Sequence, residues 1–335
     1  MSEKSVFISY LRVIATVFVI LLHASTGYLY NYESMGFNWN YSNLIHSATR
    51  CSVPIFIMIS GALLLSKAED TMLFYRNRLP KLLYPFVFWT IIYLLYYFYR
   101  YTNFQDLSAH QIREITVDKI LHGANAHLWY LYMIIGLYLA IPFLAKLMRQ
   151  LTVREIELFL ALWLIAMVIM NKRWTVYTPK FDLTFFSGYM GYLVWGYYLT
   201  VKQINWRPMY IWAGYLVVVV FTFWATHQLS AQKNKYDPLF FNYVTPNTAI
   251  IASLVFIGIK TWNPIRIPKW MAIIDKYAFG VYLSHIIPLN YIHPILAKHF
   301  STTWLIPLAT LSTLLLSIAI TFFIRKVPYG KYVSG

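Results

Sequence analysis

Long apolar runs separated by short polar segments extend from residue 7 to residue 324. The runs are continuous and lack the alternation of apolar and polar residues that is typical of strands, so they indicate helices. A helix needs about 20 predominantly apolar residues to cross the hydrocarbon core of a bilayer. The pattern therefore predicts ten membrane-spanning helices, at 7–29, 46–66, 81–100, 127–146, 156–171, 183–200, 208–226, 243–260, 277–296 and 303–324.

The composition supports an all-α integral membrane protein, a polytopic bundle of about ten transmembrane helices. Hydrophobic residues make up 59% of the 335 and charged residues 12%, which is about half the charged fraction of a soluble domain. No repeat or long linker divides the chain, so we expect one transmembrane domain over residues 1–335. The first run is too long for a cleavable signal peptide and contains Arg12. A single cysteine, Cys51, excludes an internal disulfide.

The net charge of +16 lies mostly in short loops between the apolar runs. This distribution points to membrane topology, not to a nucleic-acid partner. With the N-terminus inside, 17 basic residues fall in the segments 1–6, 67–81, 146–154, 202–207, 260–276 and 325–335, and 10 lie outside. Because basic residues concentrate in cytoplasmic loops, both termini are predicted to be cytoplasmic.

The first run carries two polar residues, Arg12 and His23, eleven positions apart. Eleven residues make about three helical turns, so both side chains share one face, roughly 16 Å apart along the axis. Polar groups within a span are costly and usually face an internal cavity or pathway. The alternative is that Arg12 extends to lipid headgroups and that His23 lies at the interface, and both interpretations stay open.

The fourth run enters from the outside with His127, Trp129 and Tyr130, at about the depth of His23. Histidine acts as a general base near neutral pH. Two histidines at one depth on different helices therefore predict a site that takes a proton from a hydroxyl group. An interfacial aromatic belt is the alternative for Trp129 and Tyr130.

Two further candidates lie in other runs. His285 is near mid-membrane in the ninth run, where Ser284 and Pro288 are expected to loosen the helix. It is either functional or hydrogen-bonded inside the bundle. Arg50, near the outer end of the second run, would meet His23, bind an anionic acceptor, or extend to lipid headgroups.

Pro54 and the Ser60-Gly61 pair are expected to interrupt the second run, since proline frees a carbonyl. Close helix packing at these small residues is the alternative, and it is the more common role of such residues. On the cytoplasmic side, the segment "YRNRLPK" places Arg76, Arg78 and Lys81 at the mouth of the third helix. Such groups suit a polyphosphate ligand. Ordinary positive-inside charge is the alternative.

No carboxylate falls well inside any run, and the acids nearest the outer ends are Glu33, Asp182 and Asp237. This weakens a proton-pump interpretation, because pumps usually need intramembrane acids. It also leaves open which group would orient a histidine base.

Four motifs together resemble the membrane acyltransferase-3 family, whose members move acetyl and related acyl groups onto extracytoplasmic glycans. Arg12 and His23 match its Arg-x10-His signature. The segment "PIFIMISG" resembles Pro-x-Phe-Phe-x-x-Ser-Gly, with Ile57 at a position that is commonly aromatic. The third motif is "HLWYL" followed by "YLAIP", and the fourth is "YLSH" at 282–285. The resemblance covers about residues 10–290. Within the family, the sequence is most similar to the short-form branch that contains the enterobacterial common antigen O-acetyltransferase.

The resemblance implies a cytoplasmic acyl-CoA co-substrate, most simply acetyl-CoA, no permanently bound cofactor or metal, and a sugar hydroxyl of an extracytoplasmic or lipid-linked glycan as acceptor. Arg12 would hold a CoA phosphate or the pantetheine carbonyl, and His23 would be the general base. His127 would assist His23, and Ser60 and Gly61 would let the thioester arm pass or donate a hydrogen bond to the developing oxyanion. Arg76 and Arg78 would bind the CoA phosphates. The residues that would contact the acceptor are Arg50, Trp129, Tyr130 and His285.

The resemblance also implies a multi-pass protein of the bacterial inner membrane, in contact with membrane lipid. Assembly as a homo-oligomer stays open. Two other functions fit the same residues: a transporter or flippase for an acyl group or lipid-linked sugar without transferase chemistry, or a structural partner of a polysaccharide synthase.

Overall fold

The computed structural model describes residues 3–32, 35–102, 107–170 and 188–334, with side chains from residue 6 onward. Within these ranges the regular elements are helices, and none is a strand. The α-helices are α1 Glu3–Tyr30, α2 Phe37–Thr49, α3 Ser52–Leu64, α4 Thr71–Arg78, α5 Pro80–Tyr101, α6 Ala109–His122, α7 Trp129–Gln150, α8 Val153–Ile169, α9 Met190–Val201, α10 Pro208–Lys233, α11 Pro246–Trp262, α12 Lys269–Ser284, α13 Ile286–Ala297, α14 Thr302–Ile324 and α15 Gly330–Ser334. Two 3-10 turns, Ala126–Leu128 and Leu239–Phe241, precede α7 and α11.

Each of the ten predicted runs overlaps at least one of these helices, and the second and ninth runs overlap two each, which confirms an all-α polytopic membrane protein. Among the described residues, seven segments are long and apolar enough to cross a membrane. They are Val6–Tyr30, Phe37–Leu64, Thr71–Tyr101, Ala126–Gln150, Pro208–Lys233, Leu239–Trp262 and Thr302–Ile324. The helices α8, α9 and α13 are shorter, and the first residues of the run predicted at 183–200 lie outside the described part.

The predicted interruptions of the second run were wrong in position. The helix divides at Arg50 and Cys51, between α2 and α3, and α3 continues through Ser60 and Gly61. Pro54 lies in the first turn of α3, where its missing N–H removes no intrahelical hydrogen bond. The Ser60 hydroxyl donates to the Phe56 carbonyl, as serine commonly does within a helix.

The ninth run divides as expected, at His285 between α12 and α13. Pro288 has no N–H to donate to the Ser284 carbonyl, four residues earlier, so the helical hydrogen-bond ladder is broken at this level. The expectation that Ser284 and Pro288 loosen this helix is confirmed.

Helices α4 and α6 are polar and were not predicted. The α6 helix starts with a capping box between Ser108 and Gln111, and none of its residues is buried. The apolar pattern could not show these helices, because caps and exposed polar faces define them.

The α1 helix lies in the interior of the bundle and packs against α2, α3, α11, α12 and α14. The α3 and α9 helices touch through backbone at two glycines. A Cβ atom at Gly61 would meet the Leu193 carbonyl oxygen at 1.9 Å, and one at Gly196 would meet the Met58 carbonyl oxygen at 2.0 Å. Small residues at a helix crossing allow this approach in membrane proteins.

The start of α1 and the end of α14 lie at one face of the bundle, which we call the terminal face. The Tyr10 hydroxyl, near the start of α1, donates to the Arg266 carbonyl just before α12. Arg325, after the end of α14, donates to the Lys276 carbonyl of α12. The other face is called the opposite face below. The cytoplasmic location of the terminal face stays a prediction.

Candidate functional site

Three histidines from separate parts of the chain form one cluster, which we call the histidine cluster. His23 comes from α1, His127 from the 3-10 turn before α7, and His285 from the break between α12 and α13. The ring centroids are 6.4 Å apart for His23–His127, 5.1 Å for His23–His285 and 5.1 Å for His127–His285. The structure thus adds His285 to the pair that the sequence suggested.

Two tyrosine hydroxyls bond to the backbone around the cluster. The Tyr282 hydroxyl donates to the His127 carbonyl. The Tyr93 hydroxyl of α5 donates to the Leu283 carbonyl at 2.9 Å, and its ring lies 4.8 Å from that of His127. Because each bond joins different helices, the positions of His127 and His285 are fixed together.

The three imidazoles differ in their hydrogen bonds. His127 Nδ1 is 3.0 Å from Asn125 Oδ1, and its Nε2 is 3.4 Å from the Leu283 carbonyl oxygen. His285 Nδ1 is 2.7 Å from the Tyr282 carbonyl oxygen. His127 and His285 are buried, whereas His23 is only half-buried. His23 is therefore the member of the cluster that a substrate can most readily reach.

Arg12 forms an ion pair with Asp275 of α12, and the Ser9 hydroxyl donates to the second carboxylate oxygen at 2.8 Å. Asp275 was not among the predicted site residues, because the apolar pattern places 260–276 in a loop. The apolar residues before Asp275 were the available signal, since they place it inside α12 instead of ahead of the helix. The arginine charge is thus partly neutralised where it faces the bundle interior.

A cavity of about 400 Å³ lies between α1, α3, α5, α7 and α12, beside this ion pair. Its polar, basic and tyrosine lining residues are Arg12, Ser60, Lys67, Arg78, Lys81, Tyr130, Tyr138 and Tyr282. The basic groups Lys67, Arg78 and Lys81 mark its terminal-face end. We call it the terminal-face cavity.

The cavity ends at two tyrosines, which we call the tyrosine layer. Tyr130, Ile134 and Tyr138 lie on one face of α7 at four-residue intervals, and Tyr130 is the member nearest the opposite face. The rings of Tyr130 and Tyr282 are 5.2 Å apart. The Tyr282 ring is also 5.7 Å from His127 and 6.0 Å from His285. One layer of rings therefore separates the cavity from the histidine cluster.

Two residues predicted to bind the acyl donor do not line the cavity. Gly61 faces α9, in the backbone contact described above, so only Ser60 of the pair is a lining residue. Arg76 is exposed and points away, because a separation of two residues turns a helix side chain about 200° from Arg78. Neither residue lines the cavity, and their roles toward the donor stay predictions.

On the side of the cluster toward the opposite face, Arg50 lies against aromatic rings. Its Nε donates to the Phe241 carbonyl, and its guanidinium is 4.3 Å from the Tyr243 ring centroid. Trp129 is 5.4 Å from Tyr243 and 5.8 Å from Tyr189. We call Arg50, Trp129, Tyr189 and Tyr243 the aromatic wall. Tyr189 and Tyr243 were not predicted, since the segments before α9 and α11 show only general aromatic enrichment in the sequence.

Among the described residues, no group of three or more His, Cys, Asp or Glu side chains is placed to hold a metal ion. The outer acids Glu33 and Asp182 lie outside the described residues. Asp237 pairs with Lys233 at the end of α10.

Comparison with known proteins gives one match. The sequence model of the acyltransferase-3 family, described as an acyltransferase domain, matches residues 5–322. No curated protein and no solved structure matches the chain.

Proposed function

The chain belongs to this acyltransferase family, and from that premise we propose that it moves an acetyl group from acetyl-CoA to a sugar hydroxyl across the bundle. The observation that carries the proposal is the placement of Arg12 and His23 on one helix. Arg12 lines the terminal-face cavity, and His23 lies in the histidine cluster beyond the tyrosine layer. The two residues thus serve a donor region and an acceptor region at different depths.

The terminal-face cavity has the chemistry of a CoA site. Three cations, Lys67, Arg78 and Lys81, lie at its entrance, where they suit the phosphates of CoA. One terminal nitrogen of Arg78 is 3.7 Å from a carboxylate oxygen of Glu69. The Arg78 Nε has no hydrogen-bond partner within the described ranges, so the guanidinium retains N–H donors for a ligand. Apolar and aromatic side chains line the deeper part and suit the pantetheine arm.

Arg12 suits the pantetheine arm better than a phosphate, because Asp275 already offsets much of its charge. A guanidinium held by one carboxylate still has N–H groups for an amide carbonyl. Ser60 lines the same cavity and would also contact the arm. Since Ser60 is on the cavity side of the tyrosine layer, we do not assign it an oxyanion role at His23.

The proposed reaction is direct transfer. His23 takes the proton of the acceptor hydroxyl, and the oxygen attacks the thioester carbonyl carbon. A C–O bond forms, the C–S bond breaks, and the leaving thiolate of CoA takes the proton from His23. The thioester must pass between Tyr130 and Tyr282 to reach this position, so the tyrosine layer opens during the cycle.

The acceptor would enter from the opposite face, along the aromatic wall. Aromatic rings bury the apolar faces of sugars, and Arg50 supplies a cation for an acidic group. His127 would help to place the acceptor through the face of its ring, since both of its nitrogens already contact protein atoms. The corresponding location is the bacterial inner membrane, with the terminal face in the cytoplasm and an extracytoplasmic or lipid-linked glycan as acceptor.

The donor assignment is tested with Arg78→Gln and Lys81→Gln, with Arg76→Gln as the matched control on the same segment. We expect each cavity variant to weaken acetyl-CoA binding about tenfold, because a charge-assisted contact of roughly 1.5 kcal/mol is lost. Arg76→Gln should bind as the wild type does. The measurement is isothermal titration of detergent-purified protein with acetyl-CoA. Equal losses in all three variants, or none, would contradict the assignment.

The role of Asp275 is tested by a double-mutant cycle with Arg12→Gln and Asp275→Asn. We expect each single change to raise the KM for acetyl-CoA severalfold, and the double variant to be little worse than Arg12→Gln alone. Directly paired residues show such coupling, whereas independent residues show additive effects. Initial rates of CoA release at varied acetyl-CoA supply the four KM values, and full additivity would show that the ion pair does not position Arg12.

A further inference from the structure

His285 is fixed in one tautomer by its backbone contact. Its ring is fully buried at the break between α12 and α13, and Nδ1 is 2.7 Å from the Tyr282 carbonyl oxygen. A carbonyl can only accept a hydrogen bond, so Nδ1 carries the proton in the neutral ring. The second nitrogen, Nε2, is then a bare acceptor.

This acceptor is buried and has no hydrogen-bond partner within the described part of the chain. A buried polar atom without a partner is costly, which favours a donor arriving at this position. Two imidazoles are close enough to supply one, His23 and His127, each with its centroid 5.1 Å from that of His285. Both nitrogens of His127 already contact Asn125 and the Leu283 carbonyl. His23 is the available donor.

We propose that His285 is the positioning residue of the base: when the His23 ring turns toward it, the free Nε2 of His285 accepts a hydrogen bond from one ring nitrogen of His23. This inference rests on the proposed function. The other nitrogen of His23 then lacks a proton and faces the acceptor hydroxyl. During transfer it takes the hydroxyl proton and later gives it to the CoA thiolate, while the N–H that faces His285 keeps its own proton. His285 ends the cycle unchanged.

The surroundings explain why a neutral acceptor does this work. The titratable groups packed around His285 are His23 from α1, His127 from the 3-10 turn, Tyr93 from α5 and Tyr282 from α12. Arg50, at the break between α2 and α3, is the cation that acts on His23. No carboxylate of the described residues contacts the cluster. A histidine therefore takes the orienting position that a carboxylate holds in many hydrolase triads.

The test compares His285→Leu and His285→Gln in the full-length purified protein. Leucine fills the space without an acceptor, whereas the glutamine amide oxygen restores an acceptor near Nε2. We expect His285→Leu to lower kcat for acetyl transfer roughly 10- to 100-fold at unchanged KM for acetyl-CoA, less than loss of the base itself. His285→Gln should recover a large part of this loss. His122→Gln, at an exposed histidine of α6, is the matched control and should keep wild-type rates.

The pH profile separates orientation from a structural role. Without an acceptor for its N–H, protonated His23 is less favourable, so the acidic limb of kcat in His285→Leu should move to lower pH. Wild-type rates in His285→Leu would overturn the inference. So would an equal loss of kcat in His285→Leu and His285→Gln with the acidic limb of the pH profile unchanged in both.

A second measurement needs no turnover. In ¹⁵N-histidine NMR spectra, the wild-type protein should show His23 as a single tautomer, and His285→Leu should show a mixture. A tautomer mixture in the wild-type protein would overturn the inference even where transfer is normal. Absence of transfer by the wild-type protein, with a single His23 tautomer, would count against the proposed function and leave the hydrogen bond supported.

Discussion

Replacing His23 by alanine is expected to lower acetyl transfer about 100- to 10,000-fold, the contribution typical of a positioned general base. His23 is the half-buried member of the histidine cluster, and the described residues give it no hydrogen bond that the fold would lose. The variant should therefore fold normally. It should also bind acetyl-CoA normally, because the terminal-face cavity lies beyond the tyrosine layer.

The matched control for this change is His293→Ala. His293 lies on α13, with its ring 6.0 Å from that of Tyr28, away from the three clustered imidazoles. Transfer of labelled acetyl groups to an envelope-glycan extract, measured for both variants, checks the prediction. Wild-type transfer by His23→Ala would remove the base assignment.

Replacing Gly61 by alanine is expected to have the largest effect on stability. The new Cβ atom would lie 1.9 Å from the Leu193 carbonyl oxygen, and the atoms that it meets all belong to backbone. No rotamer change relieves such a clash, so α3 and α9 must separate. Overpacking costs roughly 1 to 3 kcal/mol, occasionally more, which is a large part of a typical total stability of about 5 to 15 kcal/mol.

Gly196→Ala should behave in the same way, because its Cβ would meet the Met58 carbonyl at 2.0 Å. Gly136→Ala on α7 is the control, since nothing lies within 4 Å of its Cβ position. The thermal unfolding midpoint and the yield of monodisperse protein in detergent report the effect. If Gly61→Ala and Gly136→Ala unfold at the same temperature, the close crossing of α3 and α9 is wrong.

The membrane fold could be predicted from the sequence because the bilayer imposes a length and a composition on each helix. Arg12 and His23 could be recognised as a pair because both are polar residues within one apolar run, and a spacing of eleven residues places them on the same face of the helix. Polar helices such as α6 do not meet these bilayer requirements, and they were missed.

The parts that could not be predicted depend on how helices turn toward one another. Arg76 and Gly61 belong to plausible segments, but a rotation of about 200° or 100° about the helix axis takes them out of the cavity. The sequence pattern places Asp275 in a basic loop, whereas the structure places it inside α12, which starts at Lys269. The partnership of His23 and His285 joins residues that are 262 positions apart and depends entirely on tertiary packing.

The tyrosine layer adds a functional consequence that the sequence did not suggest. A donor region and an acceptor region that were joined by an open tunnel would also conduct water and protons. Tyr130 and Tyr282 lie side by side between the cavity and the histidine cluster, and the Tyr282 hydroxyl donates to the His127 carbonyl. In the proposed reaction, one movement of this layer would let the thioester arm reach the histidines.

The most direct test of the account is transfer by the purified protein in detergent, where no membrane separates two compartments. Acetyl-CoA labelled in the acetyl group is incubated with an envelope-glycan extract. We expect labelled glycan together with an equal amount of free CoA, and at least about 100-fold less of both products with His23→Ala. Intact acetyl-CoA in detergent, combined with movement of label or of lipid-linked sugar across vesicle membranes that contain the same protein, would contradict the account and identify a transporter.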